Sequence, residues 1–304
     1  VSIQVTVLGF NSAIPTAHTH PSAQVVNVNE RFLLIDCGEG TQVQLRKAKI
    51  RFSKIDHIFI SHLHGDHVFG LVGLISTFQL LGREKPLYIF GPEGIKTFIN
   101  HQLKLTHSIN SFPIEFKELK STESELIFED KKVEVYTIPL NHRVYCNGYL
   151  VVEKPKLRKL NMDAIQQYPE IETCDYLKIK KGFDFELSDG KIIKNQDLTY
   201  PAPAPKKYAY CSDTMYKPDI TPIIQGADLL YHEATFLDEL KPTAVRTGHS
   251  TAREAATIAK EAQVKKLMIG HFSNRYQDFK VLQEEAQEVF PATILPQVLK
   301  SIEV

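Results

Sequence analysis

The sequence predicts an α/β protein whose N-terminal portion is mostly strand. Three observations predict it. Short alternating or β-branched runs recur from the first residues onward, turn residues such as Gly9, Asn11 and Pro15 separate them, and helical periodicity begins near residue 70 and then interleaves with further strands. The first run, Ile3 to Leu8, alternates Ile3, Val5 and Val7 and reads as a strand. It is followed by strands over Gln24 to Val28, Phe32 to Asp36 and Ile55 to Ile60. A helix is expected over Gly70 to Leu81, a strand over Leu87 to Phe90 ended by Gly91-Pro92, and a helix over Glu93 to Leu105. Further strands are expected at Val133 to Pro139, Tyr145 to Val152, Tyr208 to Cys211 and Lys266 to Ile269. A helix over Thr251 to Gln263 opens with Thr251 and Glu254 at capping-box spacing.

Composition narrows the class. At 304 residues, with 43% hydrophobic and 24% charged residues, the chain can bury a generous core. No stretch approaches the roughly 18 apolar residues of a membrane span. Residues 1–10 lack a basic, cleavable leader pattern, so no export is expected. Cys37, Cys146, Cys174 and Cys211 lie far apart with no C-x-x-C pair, which fits a reduced cytoplasm. With 36 basic and 36 acidic residues, the balance argues against indiscriminate binding of polyanions, and any nucleic acid must be held by a local patch. Glu153 to Lys207 breaks the strand–helix rhythm. It carries the clusters Lys154, Lys156, Arg158, Lys159 and Lys178, Lys180, Lys181, then Pro201, Pro203 and Pro205. Two readings stand, an inserted element or a solvated excursion with surface lysines.

The chemistry concentrates in Ser61-His62-Leu63-His64-Gly65-Asp66-His67, directly after an apolar strand. In an extended loop His62 and His64 point one way while Asp66 and His67 reach a second point, so one segment could start two metal sites, with Gly65 allowing the turn. Two neighbouring metals need more donors from elsewhere. His142, Asp213 and His271 each follow an expected strand, as the first cluster does. Singly, each such residue is more often structural; the repeated placement at strand ends is what joins them. Nitrogen and carboxylate donors of this kind suit zinc and also accept manganese or iron. His18 and His20 form a second close pair, in a loop that reads as solvent-exposed.

H-x-H-x-D-H followed by single His, Asp and His residues resembles the metallo-β-lactamase superfamily. Asp36-Cys37-Gly38-Glu39-Gly40-Thr41-Gln42, Gly70-Leu71-Val72-Gly73-Leu74, His232-Glu233-Ala234-Thr235, Gly248-His249-Ser250-Thr251 and His271-Phe272-Ser273 with Arg275-Tyr276 resemble its short-form ribonuclease Z branch, over nearly the whole chain. The resemblance implies one αββα sandwich domain over residues 1–304, with a protruding tRNA-binding arm inserted at 153–182 and contributed by the partner of a homodimer. It implies two zinc ions, one held by His62, His64 and His142, the other by Asp66, His67 and His271, with Asp213 bridging. It further implies Asp66 as base, His249 as general acid oriented by Glu233, and removal of the 3′ trailer from precursor tRNA to leave a 3′-hydroxyl. His249 has a second reading, as a residue capping the Thr251 helix, and His232 reads as structural. The chain departs from the family pattern at Pro169-Glu170-Ile171-Glu172, where many relatives have Gly-Pro, and at residues 15–21, which lack the usual Lys and Arg-Asn. The rival functions are a general phosphodiesterase of the same fold acting on small substrates, which needs neither arm nor His249, and a non-enzymatic nucleic-acid-binding module.

Overall fold

Alternation along the first strands sorts their side chains onto two buried faces. In the computed structural model, which describes residues 3–14, 16, 19–108 and 111–304, Ile3, Val5 and Val7 enter one core while Leu8 enters another. Leu33 and Ile35 join the first and Leu34 the second. A strand buried on both faces must lie in an inner layer. The first core is filled from the other side by Val133, Val135, Tyr149, Val151, Tyr208 and Tyr210 of a second sheet. The second core is filled by Leu71, Leu74, Ile75 and Phe78 of helix Gly65–Leu80 and by Ile95 and Ile99 of helix Ile95–Leu105. On the far side of the second sheet lie Ala252, Ala255 and Ala259 of helix Ala252–Glu261 and Leu282 and Ala286 of helix Lys280–Val289. The layers are therefore helix, sheet, sheet, helix.

Each sheet has seven strands. In the first, Ser301–Glu303, Ile3–Gly9, Ala23–Val28 and Arg31–Ile35 are antiparallel neighbours, and Arg31–Ile35, Ile55–Phe59, Leu87–Pro92 and Ile114–Leu119 run parallel. In the second, Leu126–Glu129, Val133–Pro139, Asn147–Glu153 and Lys207–Cys211 are antiparallel, and Lys207–Cys211, Leu229–Glu233, Leu267–Gly270 and Thr293–Ile294 run parallel. The carboxyl ends of the parallel strands collect at one edge, the position where open α/β sheets place their ligands. Two hydroxyls tie the sheets together there. Tyr149 donates to the Ile60 carbonyl at 2.6 Å, and Tyr210 donates to Asp36 Oδ2 at 2.7 Å.

Most expected elements form within a few residues of their expected ends. The helix expected from Gly70 starts five residues earlier, at Gly65, with His64 as its extended N-cap residue. Asp66 and His67 therefore stand in the first helical turn and not in an extended loop. Gly65 supplies room and not a turn, since a Cβ there would meet the Phe69 ring at 2.2 Å. Helix Ala252–Glu261 carries its capping box on Thr251 and Glu254, so His249 lies outside it and does not cap it.

Residues Lys154–Pro205 form a separate compact unit, the rest of the chain forming the other. Its core is Ile165, Ile171, Ile179, Ile193 and Leu198. Because Ile193 and Leu198 complete that core, the unit continues past Gly182 to Pro205. Two short ladders close it, Lys159–Leu160 with Thr199–Tyr200 and Phe185–Glu186 with Ile192–Ile193.

Candidate metal centre

Strand ends deliver the donors. His62 follows Ile55–Phe59, His142 follows Val133–Pro139, Asp213 follows Lys207–Cys211, and His271 follows Leu267–Gly270. Asp213 and His271 adopt positive φ of 60° and 58°, as does Asp36 at 56°. Left-handed backbone at three non-glycine strand ends is a local strain of the kind that gathers at functional sites.

The donors converge in two groups of four that share Asp213. In the first, His64 Nδ1 lies 2.9 Å from His62 Nε2 and 3.2 Å from His142 Nε2, and Asp213 Oδ2 lies 3.5 and 3.9 Å from the same two nitrogens. In the second, Asp66 Oδ2 lies 3.4 Å from both His67 Nε2 and His271 Nε2, and Asp213 Oδ1 lies 3.3 and 3.1 Å from them. Four donors at ~2.1 Å around a tetrahedral ion stand ~3.4 Å apart. The donor spacing therefore fits divalent metal in both groups.

Tautomers point the same way. His67 gives Nδ1 to Asp36 Oδ2 at 2.7 Å, and its buried Nε2 has no hydrogen-bond partner. His142 gives Nδ1 to the Gly248 carbonyl at 2.7 Å, and His271 gives Nδ1 to Thr235 Oγ1 at 3.1 Å. Each thus aims its remaining nitrogen at the centre, with the outer partner that orients metal-binding imidazoles. Burial drives His62 well below its ordinary pKa and lowers His64 and His142, favouring neutral rings with free lone pairs. Burial opposes charge on Asp66 and Asp213 too, but the surrounding histidines hold both carboxyls well below their usual range. His67 is the exception: burial works against its charge, and Asp213, Asp36 and Asp66 together raise it well above the ordinary value. A divalent ion would take the place of that proton.

His249 and Glu233 sit beside the centre. The His249 ring is 5.2 Å from both the His142 and His271 rings, and its Nδ1 is 2.8 Å from Glu233 Oε1. Glu233 is fully buried and also accepts the Thr214 N–H at 2.8 Å and the Thr235 hydroxyl at 2.6 Å. Thr235 therefore links this carboxylate to His271. Burial disfavours a charged His249, but Glu233 overrides it and pushes the ring up to about 9. His249, Thr235 and His271, with His64, Asp66 and Asp213, border a cavity of about 670 Å³ that is lined also by Arg143, Phe236 and Arg275. His232 is buried, bonds the Glu233 carbonyl through Nδ1 and belongs to neither donor group.

Asp36, Thr235 and the Gly248 carbonyl carry no donor pattern of their own in the sequence, although each stands in one of the motifs that resemble the family's. They belong to neither donor group but hold His67, His271 and His142, which do. His18, with Pro15 and Ala17, lies outside the described residues, and His20 stands outside both donor groups. In the second unit, the Arg158 N–H donates to the Lys180 carbonyl at 2.9 Å, bringing the two basic clusters side by side. The four cysteines are unpaired, and no helix among the described residues is long and apolar enough to cross a membrane.

The fold has solved counterparts. A metallo-β-lactamase fold protein, YhfI from Bacillus subtilis, aligns over all of both chains with a TM-score of 0.70 at 20% identity. The short form of human tRNase Z aligns over 99% of both chains with a TM-score of 0.72 at 29% identity. A family model described as "Anti-Pycsar protein Apyc1" matches residues 3–145. The layered sheets, with these donors at their shared edge, define a protein of the metallo-β-lactamase fold. Ribonuclease Z of Porphyromonas gingivalis is 50% identical over 293 residues, covering 96% of each chain, and that of Parabacteroides distasonis 48% identical over 291 residues. The chain belongs to the ribonuclease Z family.

Proposed function

We propose that this chain is an endoribonuclease that removes the 3′ trailer from precursor tRNA by metal-dependent phosphodiester hydrolysis and leaves a 3′-hydroxyl on the tRNA. One observation carries the reading: two four-donor groups share Asp213, and a buried Glu233 orients His249 beside them. His62, His64 and His142 would hold one ion and Asp66, His67 and His271 the other, with Asp213 contributing an oxygen to each. Two zinc ions suit these nitrogen and carboxylate donors, as manganese or iron would. Bound ions supply Lewis-acid charge to the phosphate and activate water at neutral pH.

The residues themselves provide the rest. A ribose 3′-oxygen is a poor leaving group and must be protonated as it departs. His249, held protonated at neutral pH by Glu233 and anchored through Nδ1, has Nε2 left to donate that proton. Asp66, whose carboxyl stays ionised, is assigned as ligand and base. We assign tRNA binding to the unit at 154–205, where Lys154, Lys156, Arg158, Lys159, Lys178, Lys180 and Lys181 supply cations for phosphates, with a homodimer in the cytoplasm as the working form. A general phosphodiesterase would need neither His249 nor this unit.

The test is cleavage of a 3′-extended precursor tRNA lacking encoded CCA beside bis(p-nitrophenyl) phosphate, with and without chelator. Chelator-sensitive cleavage just after the discriminator nucleotide is expected. Turnover of the small diester alone would move the assignment to a general phosphodiesterase.

A further inference from the structure

The loop that carries His142 also borders a second cavity, of about 310 Å³, lined by Ser121, His142, Arg143, Tyr145, Asn147 and Lys217 among others. Arg143 lines both cavities, so the two are neighbours across one residue. The walls are firmly mounted. Leu140 N–H donates to the Cys146 carbonyl at 3.1 Å, Met215 N–H to the Asn141 carbonyl at 2.8 Å, and Asn147 N–H to the Ser61 carbonyl at 3.1 Å.

The chemistry of the lining is that of an anion site with a base-reading edge. Lys217 Nζ donates to the Pro139 carbonyl at 2.9 Å and keeps two further N–H donors. Neither Lys217 nor Arg143 is ion-paired to a carboxylate among the described residues, whereas Arg31, Arg83 and Arg253 each are. Asn147 spends its amide N–H on the Tyr145 hydroxyl at 2.8 Å, and its buried Oδ1 has no partner. Tyr145 is in turn fixed to the Ser121 carbonyl at 2.8 Å. Two cations without a carboxylate partner, beside an amide oxygen and a phenol ring, complement a nucleotide.

We propose that this second cavity binds the first nucleotide of the trailer, Arg143 reaching the scissile phosphate and Lys217 the phosphate that follows. The inference rests on the precursor-tRNA reading above. His249 lies in the larger cavity, so the nucleotide whose 3′-oxygen departs belongs there. The strand then continues past the scissile phosphate and Arg143 into the smaller one.

A trailer of one nucleotide has no phosphate for Lys217; a trailer of five has. The experiment compares kcat/KM for the two precursors with wild-type enzyme, Lys217→Met and Lys217→Arg. Lys217→Met should lower the five-to-one ratio about tenfold, equivalent to about 1.4 kcal/mol. It should also reduce the salt slope on the longer trailer by roughly 0.7. Lys217→Arg should restore both. An unchanged ratio, or an equal fall on both precursors from loss of the Pro139 anchor, overturns the subsite. Failure of the wild-type enzyme to cut either precursor overturns the tRNA reading itself, and the subsite with it.

Discussion

Asp36 accepts a hydrogen bond from His67 Nδ1 at 2.7 Å while taking three more donors, the Ser61 N–H at 2.7 Å, the Ser61 hydroxyl at 2.9 Å and the Tyr210 hydroxyl at 2.7 Å. One buried carboxylate thus orients a proposed metal ligand, pins the start of the H-x-H-x-D-H segment and joins the two sheets. Asp36→Asn keeps the shape but puts an amide among four donors. Partners of this kind are worth about 10–100-fold in metal affinity. Competition with a chromophoric chelator should show that loss in the group containing His67, with a smaller change in the group containing His142. Equal affinity in variant and wild type would reduce Asp36 to a folding residue.

His249→Ala should lower turnover of precursor tRNA by about 10²–10⁴-fold, the usual worth of a general acid, while metal content stays at the wild-type value. His249 belongs to neither four-donor group; the cluster it forms with Glu233 overlaps them only at His271, which Thr235 holds independently of it. Metal analysis of the purified variant beside single-turnover kinetics separates the two effects. Undiminished single-turnover rates would remove the acid assignment.

The strands were legible because apolar runs of four to eight residues ended in turn residues, and the donors were legible because each followed such a run. The pairing of the sheets was not. Tyr149 reaches the Ile60 carbonyl and Tyr210 reaches Asp36 from one sheet to the other, contacts that no local period encodes, so the layering follows from family resemblance alone. Asp66 and His67 were placed in an extended loop because polar donors in a first helical turn look like loop residues. Asp36 and Thr235 escaped because hydrogen bonding to a ligand leaves no spacing pattern. The extent of the 154–205 unit was legible in the broken rhythm of Glu153 to Lys207, whereas the arm implied by resemblance stops at 182; the unit's strands are two residues long, too short for alternation to show.

His57 gives the fold a dependence on acid. It is packed against Phe128 and stacked on Tyr88, with ring centroids 4.2 and 5.1 Å away, and its Nδ1 has no partner. Burial, the largest influence, lowers its pKa to about 4. Between that value and the ordinary value of about 6.5, the unfolded chain binds a proton that the folded chain does not. The contribution is whole above pH 6.5 and is lost as pH falls toward 4. At pH 4.5 the loss is on the order of 2–3 kcal/mol. His57→Phe removes the titrating group, so its urea midpoint should fall less than that of wild type between pH 7 and pH 4.5. Parallel curves would mean that His57 accepts its proton without unfolding.

Excising the 154–205 unit should separate tRNA binding from hydrolysis. The main unit is already closed at the cut. Glu153 N–H donates to the Lys206 carbonyl at 2.9 Å, and Lys207 pairs with Val152 in the sheet, so a short glycine linker can join residue 153 to 206 without disturbing the ladder. The donors of the centre, together with His249 and Glu233, all lie in the part that remains. The excised protein should still turn over bis(p-nitrophenyl) phosphate, while its affinity for precursor tRNA falls about 10²-fold or more as phosphate contacts are lost. The salt dependence of residual binding should flatten in step, because each lost phosphate contact removes its share of counterion release. Retained tRNA affinity with a steep salt slope would place the phosphate-binding surface on the main unit and withdraw the assignment of the seven basic residues.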